Sequence, residues 1–168
     1  MAYQDHLRDS EQIRARCAVI TLSDTRTPET DKSGKKIREL LESQNHQVAR
    51  YQLIPDDMAA LHALLTEILS NRELDAVLTN GGTGISPRDT TIEVVETHLD
   101  QTLPGFGELF RMLSWHEIGS GAMLSRAVGG VARGKLLFAM PGSTGAVELA
   151  MTKLILPELR HLVHEMRK

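Results

Sequence analysis

Apolar residues along this chain fall into short runs that switch between two periods. Ala15 to Leu22 is a nearly continuous, partly β-branched run that predicts a buried strand ending at Ser23-Asp24-Thr25. Ile37, Leu40 and Leu41 then recur at helical spacing, so a helix is expected from about Lys32 to Gln44. Val48 to Ile54 alternates and reads as a half-exposed strand, stopped by Pro55-Asp56-Asp57. Either aspartate can cap the next helix, whose stripe is Met58, Leu61, Leu65 and Leu69. Leu74 to Leu78 predicts a third strand, and Thr90 to His98 a helix with Thr90 or Thr91 at its start. Leu103-Pro104-Gly105 breaks the chain before a helix from Phe106 to Trp115, on which Phe106, Leu109, Phe110 and Leu113 share a face and Trp115 is assigned to packing. Glycines punctuate a weaker region around Met123 to Val131. Lys135 to Met140 is the last strand. The final helix begins near Pro141-Gly142-Ser143-Thr144-Gly145, and Pro157 should kink or restart it.

Strands that alternate with helices predict an α/β sheet covered on both faces. Four predicted strands run into polar or glycine-rich loops: Ser23-Asp24, Pro55-Asp56-Asp57, Asn80 to Asp89, and Pro141 to Gly145. If those strands are parallel neighbours, the four loops converge on one rim, where ligands of such sheets bind. No linker or repeat divides the chain, so one domain is expected over residues 1–168, with a flexible polar arm at residues 1–14.

Composition narrows the function. A length of 168 residues suffices for a substantial core, and a net charge of −3 disfavours a nucleic-acid partner. Aromatic content of 4% leaves little for a base-stacking surface. No apolar stretch approaches the roughly 18 residues of a membrane span, and no signal peptide is evident. A lone Cys17 cannot form an internal disulfide, so the cytoplasm is the expected compartment.

The chemistry concentrates between Thr79 and Asp89. Gly81, Gly82 and Gly84 let backbone N–H groups approach an anion. Thr83 and Ser86 add hydroxyls, Arg88 a cation and Asp89 a carboxylate, the inventory of a phosphate–metal site. The spacing matches neither a Rossmann fingerprint nor a Walker A loop. Asp56 and Asp89 end different strand loops, and together they can hold Mg²⁺ against phosphate oxygens, although each can also cap a helix. Pro141-Gly142-Ser143 offers backbone donors at a helix start. Gly129 to Lys135 nearly spells a P-loop, but Leu136 replaces the needed hydroxyl and a strand follows, so a turn into a strand is expected. Cys17 reads as core, His161 and His164 as a solvated helix end, and His62 and His116 show no partner.

The run Asn80 to Asp89 followed by Thr90-Thr91-Ile92-Glu93, and the second motif Met140 to Ser143, resemble the MoaB/MogA proteins of molybdenum cofactor biosynthesis. These are similar to the pterin-binding G domains of gephyrin and its plant counterpart. Pro104 to Ser114 and Met123 to Arg126 look like the MoaB branch. The resemblance spans Arg16 to His164 and implies a three-layer α/β/α fold assembled as a trimer or hexamer. It also implies adenylylation of molybdopterin by MgATP, with release of pyrophosphate. By motif, Asp56 and Asp89 match the family's catalytic aspartates. Gly81 to Gly84, Ser125 and Pro141 to Ser143 match its substrate loops, and Arg88 or Arg126 would offset phosphate charge. Contact with the molybdate-inserting enzyme of the pathway is a further expected partnership. Asn80 stands where threonine is common, and Thr144 where many members have proline. A molybdopterin carrier without catalysis and an unrelated phosphoesterase on the same fold remain open alternatives.

Overall fold

The computed structural model describes residue 3, residue 8 and residues 10–168. In chain order the elements are β1 (Arg16–Leu22), α1 (Lys32–Ser43), β2 (Gln47–Ile54), α2 (Met58–Leu69), β3 (Ala76–Asn80), α3 (Thr91–His98), β4 (Gln101–Thr102) and α4 (Pro104–Ile118). A 3-10 segment (Gly119–Leu124), β5 (Val128–Ala132), β6 (Lys135–Met140), α5 (Thr144–Ala150), a π segment (Met151–Ile155) and α6 (Leu156–Met166) follow. The sheet order is β2-β1-β3-β6-β5-β4. β2, β1, β3 and β6 are mutually parallel, while β5 runs antiparallel to both β6 and β4. This is the expected three-layer, mostly parallel α/β/α architecture.

The period-2 alternation of β1 decides which face each side chain serves. Cys17 and Val19 join Ile37, Leu41, Phe110, Phe138, Met151 and Leu159 on the face covered by α1, α4, α5 and α6. Ala18, Ile20 and Leu22 join Leu61, Leu65, Ile68, Ile92 and Val95 under α2 and α3. Fully burying one such leucine or isoleucine contributes about 1.5–3 kcal/mol, so both layers are held mainly by apolar area. Cys17 is part of that core, and burial pushes its thiol up to about 12, which makes it inert.

The sequence pattern missed parts of the far edge. Leu103-Pro104-Gly105 does not only break the chain: Pro104 occupies the first turn of α4, where a missing N–H costs nothing. The glycine-rich weak region holds β5. A Cβ at Gly129 would lie 2.4 Å from the Phe138 ring, so glycine there permits β5 to pass over that side chain. β5 returns to β6 through Arg133-Gly134, both at positive φ, which makes the near-P-loop a tight hairpin. Pro157 marks a restart of the last helix: a π segment ends at Ile155, and α6 begins at Leu156 with Pro157 in its first turn, where a missing N–H costs little. Trp115 departs from its expected packing role. It is 58% exposed, beside exposed Leu109, Met112, Ile118, Met123 and Leu124.

Half of the arm expected at residues 1–14 falls among the described residues (3, 8 and 10–14), and the other half lies outside them. The described half is not a free arm: Ser10 is buried and Ile13 packs against the core. Within it, the Tyr3 hydroxyl donates to the Glu158 carboxylate and its ring meets His161 edge-on. Among the described residues no helix is long and apolar enough to cross a membrane.

Candidate functional site

Four strands end together. Thr21 pairs with Asn80, Asn80 with Met140, and Leu22 with Ile54, so the loops after β1, β2, β3 and β6 emerge on one rim. Between β1 and β3 the strand order reverses direction, which opens a crevice at the carboxyl ends. A cleft of about 410 Å³ sits there, lined by Ser23, Thr25, Arg26, Gly81 to Gly84, Asp89, Ser125, Pro141 and Gly142 among others. Most of the predicted substrate-loop residues thus share one surface.

The glycine loop is tied down from below. Gly81 N–H donates to Met140 O at 3.1 Å, and Thr91 N–H to Gly82 O at 3.0 Å. Gly81 has φ +96°, and a Cβ there would stand 2.2 Å from Leu22 O, so no other residue fits. Arg126 does not reach into the cleft with free donors. Its guanidinium donates to the carbonyls of Thr83 at 2.9 Å, Gly84 at 2.7 Å and Asp89 at 3.2 Å, and it pairs with Glu93. Arg126 therefore holds the loop's carbonyls back and leaves the opposite, N–H side of the peptides for a ligand. Ser86 accepts from Arg88 N at 3.3 Å within the loop. Ser143 caps α5, accepting from Ala146 N at 3.2 Å, and Pro141 and Gly142 form the wall before it.

The neighbouring aspartates Asp56 and Asp57 divide two roles. Asp57 caps α2, accepting from Ala60 N at 2.7 Å. Asp56 is thereby released from capping. Its Oδ1 is buried with no hydrogen-bond partner, and a Cβ on Gly82 would stand 2.9 Å from it. Burial pushes the Asp56 carboxyl above its usual range, and the charges of Asp24 and Asp89 push it further. Asp89 does not cap α3; its Oδ2 accepts from Ser86 N at 3.0 Å, folding the carboxylate back toward Gly84. Thr91 Oγ1 is a second buried oxygen without a partner, and it also faces Gly82.

Three features went unread in the sequence. Asp24 completes a carboxylate group with Asp56 and Asp89. It accepts from Asp56 N at 3.1 Å and from Arg88 Nε at 2.9 Å, and Arg88 also donates to Asp56 O at 3.0 Å. Arg88 thus straps three loops together. The second is Asp31, almost fully buried and the cap of α1, where it accepts from Gly34 N at 3.0 Å and from the Tyr51 hydroxyl at 2.6 Å. Burial acts to raise its pKa, but hydrogen bonds from Thr21, Tyr51, Gly34 and Ser33 outweigh this and hold it below the usual range. The third is Asn80, fully buried below the loop. It accepts from Ser33 Oγ at 2.7 Å and donates to Thr21 Oγ1 at 2.9 Å. Asn80 is a tie between β3, β1 and α1, beneath the cleft floor. The signal for Asp31 was its place three residues before Gly34; Asn80 stood out in the sequence only as a departure from threonine, with nothing to show its buried role.

A carboxylate-bearing rim beside a glycine-lined cleft at the carboxyl ends of the strands defines an α/β domain with a ligand crevice at its switch point. Residues 18–161 match the family described as "Probable molybdopterin binding domain". The chain is 51% identical over 169 residues to "Molybdenum cofactor biosynthesis protein B" of Halalkalibacterium halodurans, covering 100% of this chain and 99% of that one. A crystal structure of a protein of that name aligns with TM-score 0.90 at 52% identity, covering 92% and 97% of the two chains. The tungsten cofactor synthesizing protein MoaB from Pyrococcus furiosus aligns at TM-score 0.82 and 36% identity, over 92% and 98%. The chain belongs to the MoaB/MogA family of molybdenum cofactor biosynthesis proteins, within which it is most like the MoaB relatives.

Proposed function

We propose that this chain is a molybdopterin adenylyltransferase. In the reaction, the terminal phosphate of molybdopterin attacks the α-phosphate of ATP. A new P–O bond forms as the bond to the β-phosphate oxygen breaks, releasing pyrophosphate. The phosphate nucleophile is already ionised at neutral pH, so no general base is required. The obstacle is bringing anions together, and this chain's groups address that obstacle. The Gly82–Gly84 backbone and the start of α5 supply N–H donors. Arg126 fixes the carbonyls of that loop away from the reactants. The crevice holds both partners between loops from four strands.

The observation that carries the reading is Asp56 Oδ1, a buried oxygen without a partner inside a group of three carboxylates. Such an atom fits a hard cation. Mg²⁺ held by Asp56 and Asp89 would neutralise charge between the two phosphates. Among the described residues no three His, Cys, Asp or Glu side chains are arranged to hold a metal. Mg²⁺ takes one or two carboxylates together with waters and phosphate oxygens, so Asp56 and Asp89 would be its ligands from this chain. Incubation of the pure protein with molybdopterin and MgATP should yield adenylyl-molybdopterin and pyrophosphate. Tight pterin binding without pyrophosphate release would favour the carrier reading instead.

The exposed apolar surface of α4 and the following 3-10 segment supports self-association as a trimer or hexamer. Met123 is 80% exposed there, next to Trp115 and Met112. Light scattering showing a stable monomer at micromolar concentration would overturn that part.

A further inference from the structure

We infer that Arg26 is the cation that meets the substrate phosphate, a positioning residue that rests on the reading of the cleft as a phosphate site. All three arginines on this rim are bonded to the protein, and they differ in whether they also line the cleft. Arg126 spends its donors on three loop carbonyls and Glu93, and Arg88 is held by Asp24 and by Asp56 O. Arg26 alone among arginines and lysines lines the cleft, in the loop after β1.

Its guanidinium is fixed from behind. Nη1 donates to Ser33 Oγ at 2.5 Å and lies 3.5 Å from Asp31 Oδ1, while Nη2 donates to Gly142 O at 2.9 Å. These bonds anchor both terminal nitrogens, and no acceptor among the described residues takes the Nε–H. Asp31 is itself immovable, being buried and held by four donors. Ser33 passes the contact on to Asn80 Oδ1 at 2.7 Å, which ties the arginine to the cleft floor. A guanidinium held in this way keeps two unbonded N–H groups and its charge for the cleft without losing rotamer freedom on binding. It lines the same crevice as Gly81 to Gly84. The ligand chemistry is a phosphoryl oxygen, supplied either by a phosphate monoester, as on the pterin, or by the polyphosphate of the nucleotide.

The test uses the full chain without metal, with inorganic phosphate standing for the monoester and pyrophosphate for the polyphosphate. Binding is read by ³¹P line broadening and by melting temperature. Arg26→Gln should weaken one or both anions by roughly 10- to 100-fold, as loss of a charge-assisted contact does. Which anion suffers identifies the source. Ser33→Ala removes one strut and keeps the cation; it should melt lower and weaken binding of both anions less than either Arg26 variant does. Arg26→Lys keeps the charge but not the three-way geometry, and it should bind with intermediate affinity. If Arg26→Gln does not fold, the comparison of Arg26→Lys with Ser33→Ala carries the test. Undiminished binding in Arg26→Gln, or equal losses in Arg26→Lys and Ser33→Ala, makes Arg26 a strut and overturns the assignment. Failure of the parent protein to bind either anion overturns the phosphate reading of the cleft along with it, a result distinct from the variant outcomes.

Discussion

Asp56 and Asp57 are adjacent in sequence, and substituting each should have opposite consequences. Asp57→Ala removes the acceptor that caps α2 at 2.7 Å. Loss of such a cap costs about 1 kcal/mol, which for a domain of this size lowers the melting temperature by about 2–4 °C. Adenylyl transfer should be nearly unchanged, because Asp57 points into its own helix. Asp56→Asn keeps the shape and removes one charge from the group formed with Asp24 and Asp89. A carboxyl whose folded pKa is raised opposes folding once it is ionised. The penalty is absent in acid, where the group is protonated in both states, and it grows as pH rises through the unfolded value toward the folded one. Asp56→Asn should therefore melt higher than the parent near neutral pH without metal, and the gain should vanish in acid. If Asp56 binds Mg²⁺, losing its charge forfeits several kcal/mol of electrostatic stabilisation, about 10²-fold or more in transfer rate. Added Mg²⁺ should raise the parent's melting temperature and leave that of the variant unmoved. The assays are pyrophosphate release across a Mg²⁺ titration and thermal melts from pH 3 to 8, all three proteins in parallel. Parental turnover in Asp56→Asn, or a neutral-pH melting temperature below the parent's, would refute the division of roles.

Three further outcomes are expected. Gly81→Ala should destabilise the fold by more than about 2 kcal/mol, since a Cβ would stand 2.2 Å from Leu22 O on a backbone at φ +96°; denaturant melts check this. Thr91→Val should stabilise the ligand-free protein by about 1 kcal/mol in chemical denaturation, because Thr91 is 1% exposed and its hydroxyl has no partner. His46 is held neutral, its pKa lowered to about 4 first by burial and then by Arg160 and Arg14, so unfolding free energy should fall by about 3 kcal/mol as pH drops from near 6.5 to 4, and His46→Gln should flatten that slope.

Periodicity made the core legible wherever one element serves one face. The continuous apolar run of β1 and the α2 stripe needed no tertiary information. It failed where a distant neighbour sets the requirement. Gly129 looks like loop chemistry until Phe138 is placed beneath it. The partner of His62 is His98, 3.1 Å away across two helices, and no spacing in the sequence connects them. Trp115 fits a helical packing period, yet its surroundings leave it in solvent. The site itself was half legible. Glycines and aspartates announce backbone donors and charge, so Gly81 to Gly84, Asp56 and Asp89 stood out. Which arginine faces the ligand depends on where carbonyls and carboxylates lie, and only coordinates separate Arg26 from Arg88 and Arg126.

The rim holds its carboxylates in two opposed electrostatic states. Asp31 is more deeply buried than Asp56, yet its acidity moves the other way, because hydrogen-bond donors from Thr21, Tyr51, Gly34 and Ser33 saturate its oxygens. Asp56 has one oxygen without any donor and two anionic neighbours. Burial alone raises both groups; the difference is the supply of donors. Asp31 is thus a finished structural anion that anchors α1 and steadies Arg26. Asp56 remains incomplete, and a positive charge arriving beside it relieves both its lack of a partner and its repulsion from Asp24 and Asp89. Environments that drive like groups apart mark where chemistry is separated from scaffold. On this rim the boundary falls between the loop after β1, where Asp31 and Ser33 build a support, and the loops after β2 and β3, where Asp56 and Asp89 leave charge uncompensated. A substrate pair that brings phosphate anions and their cation together fits that boundary better than a neutral ligand does, because the cation removes a repulsion that the fold maintains on its own.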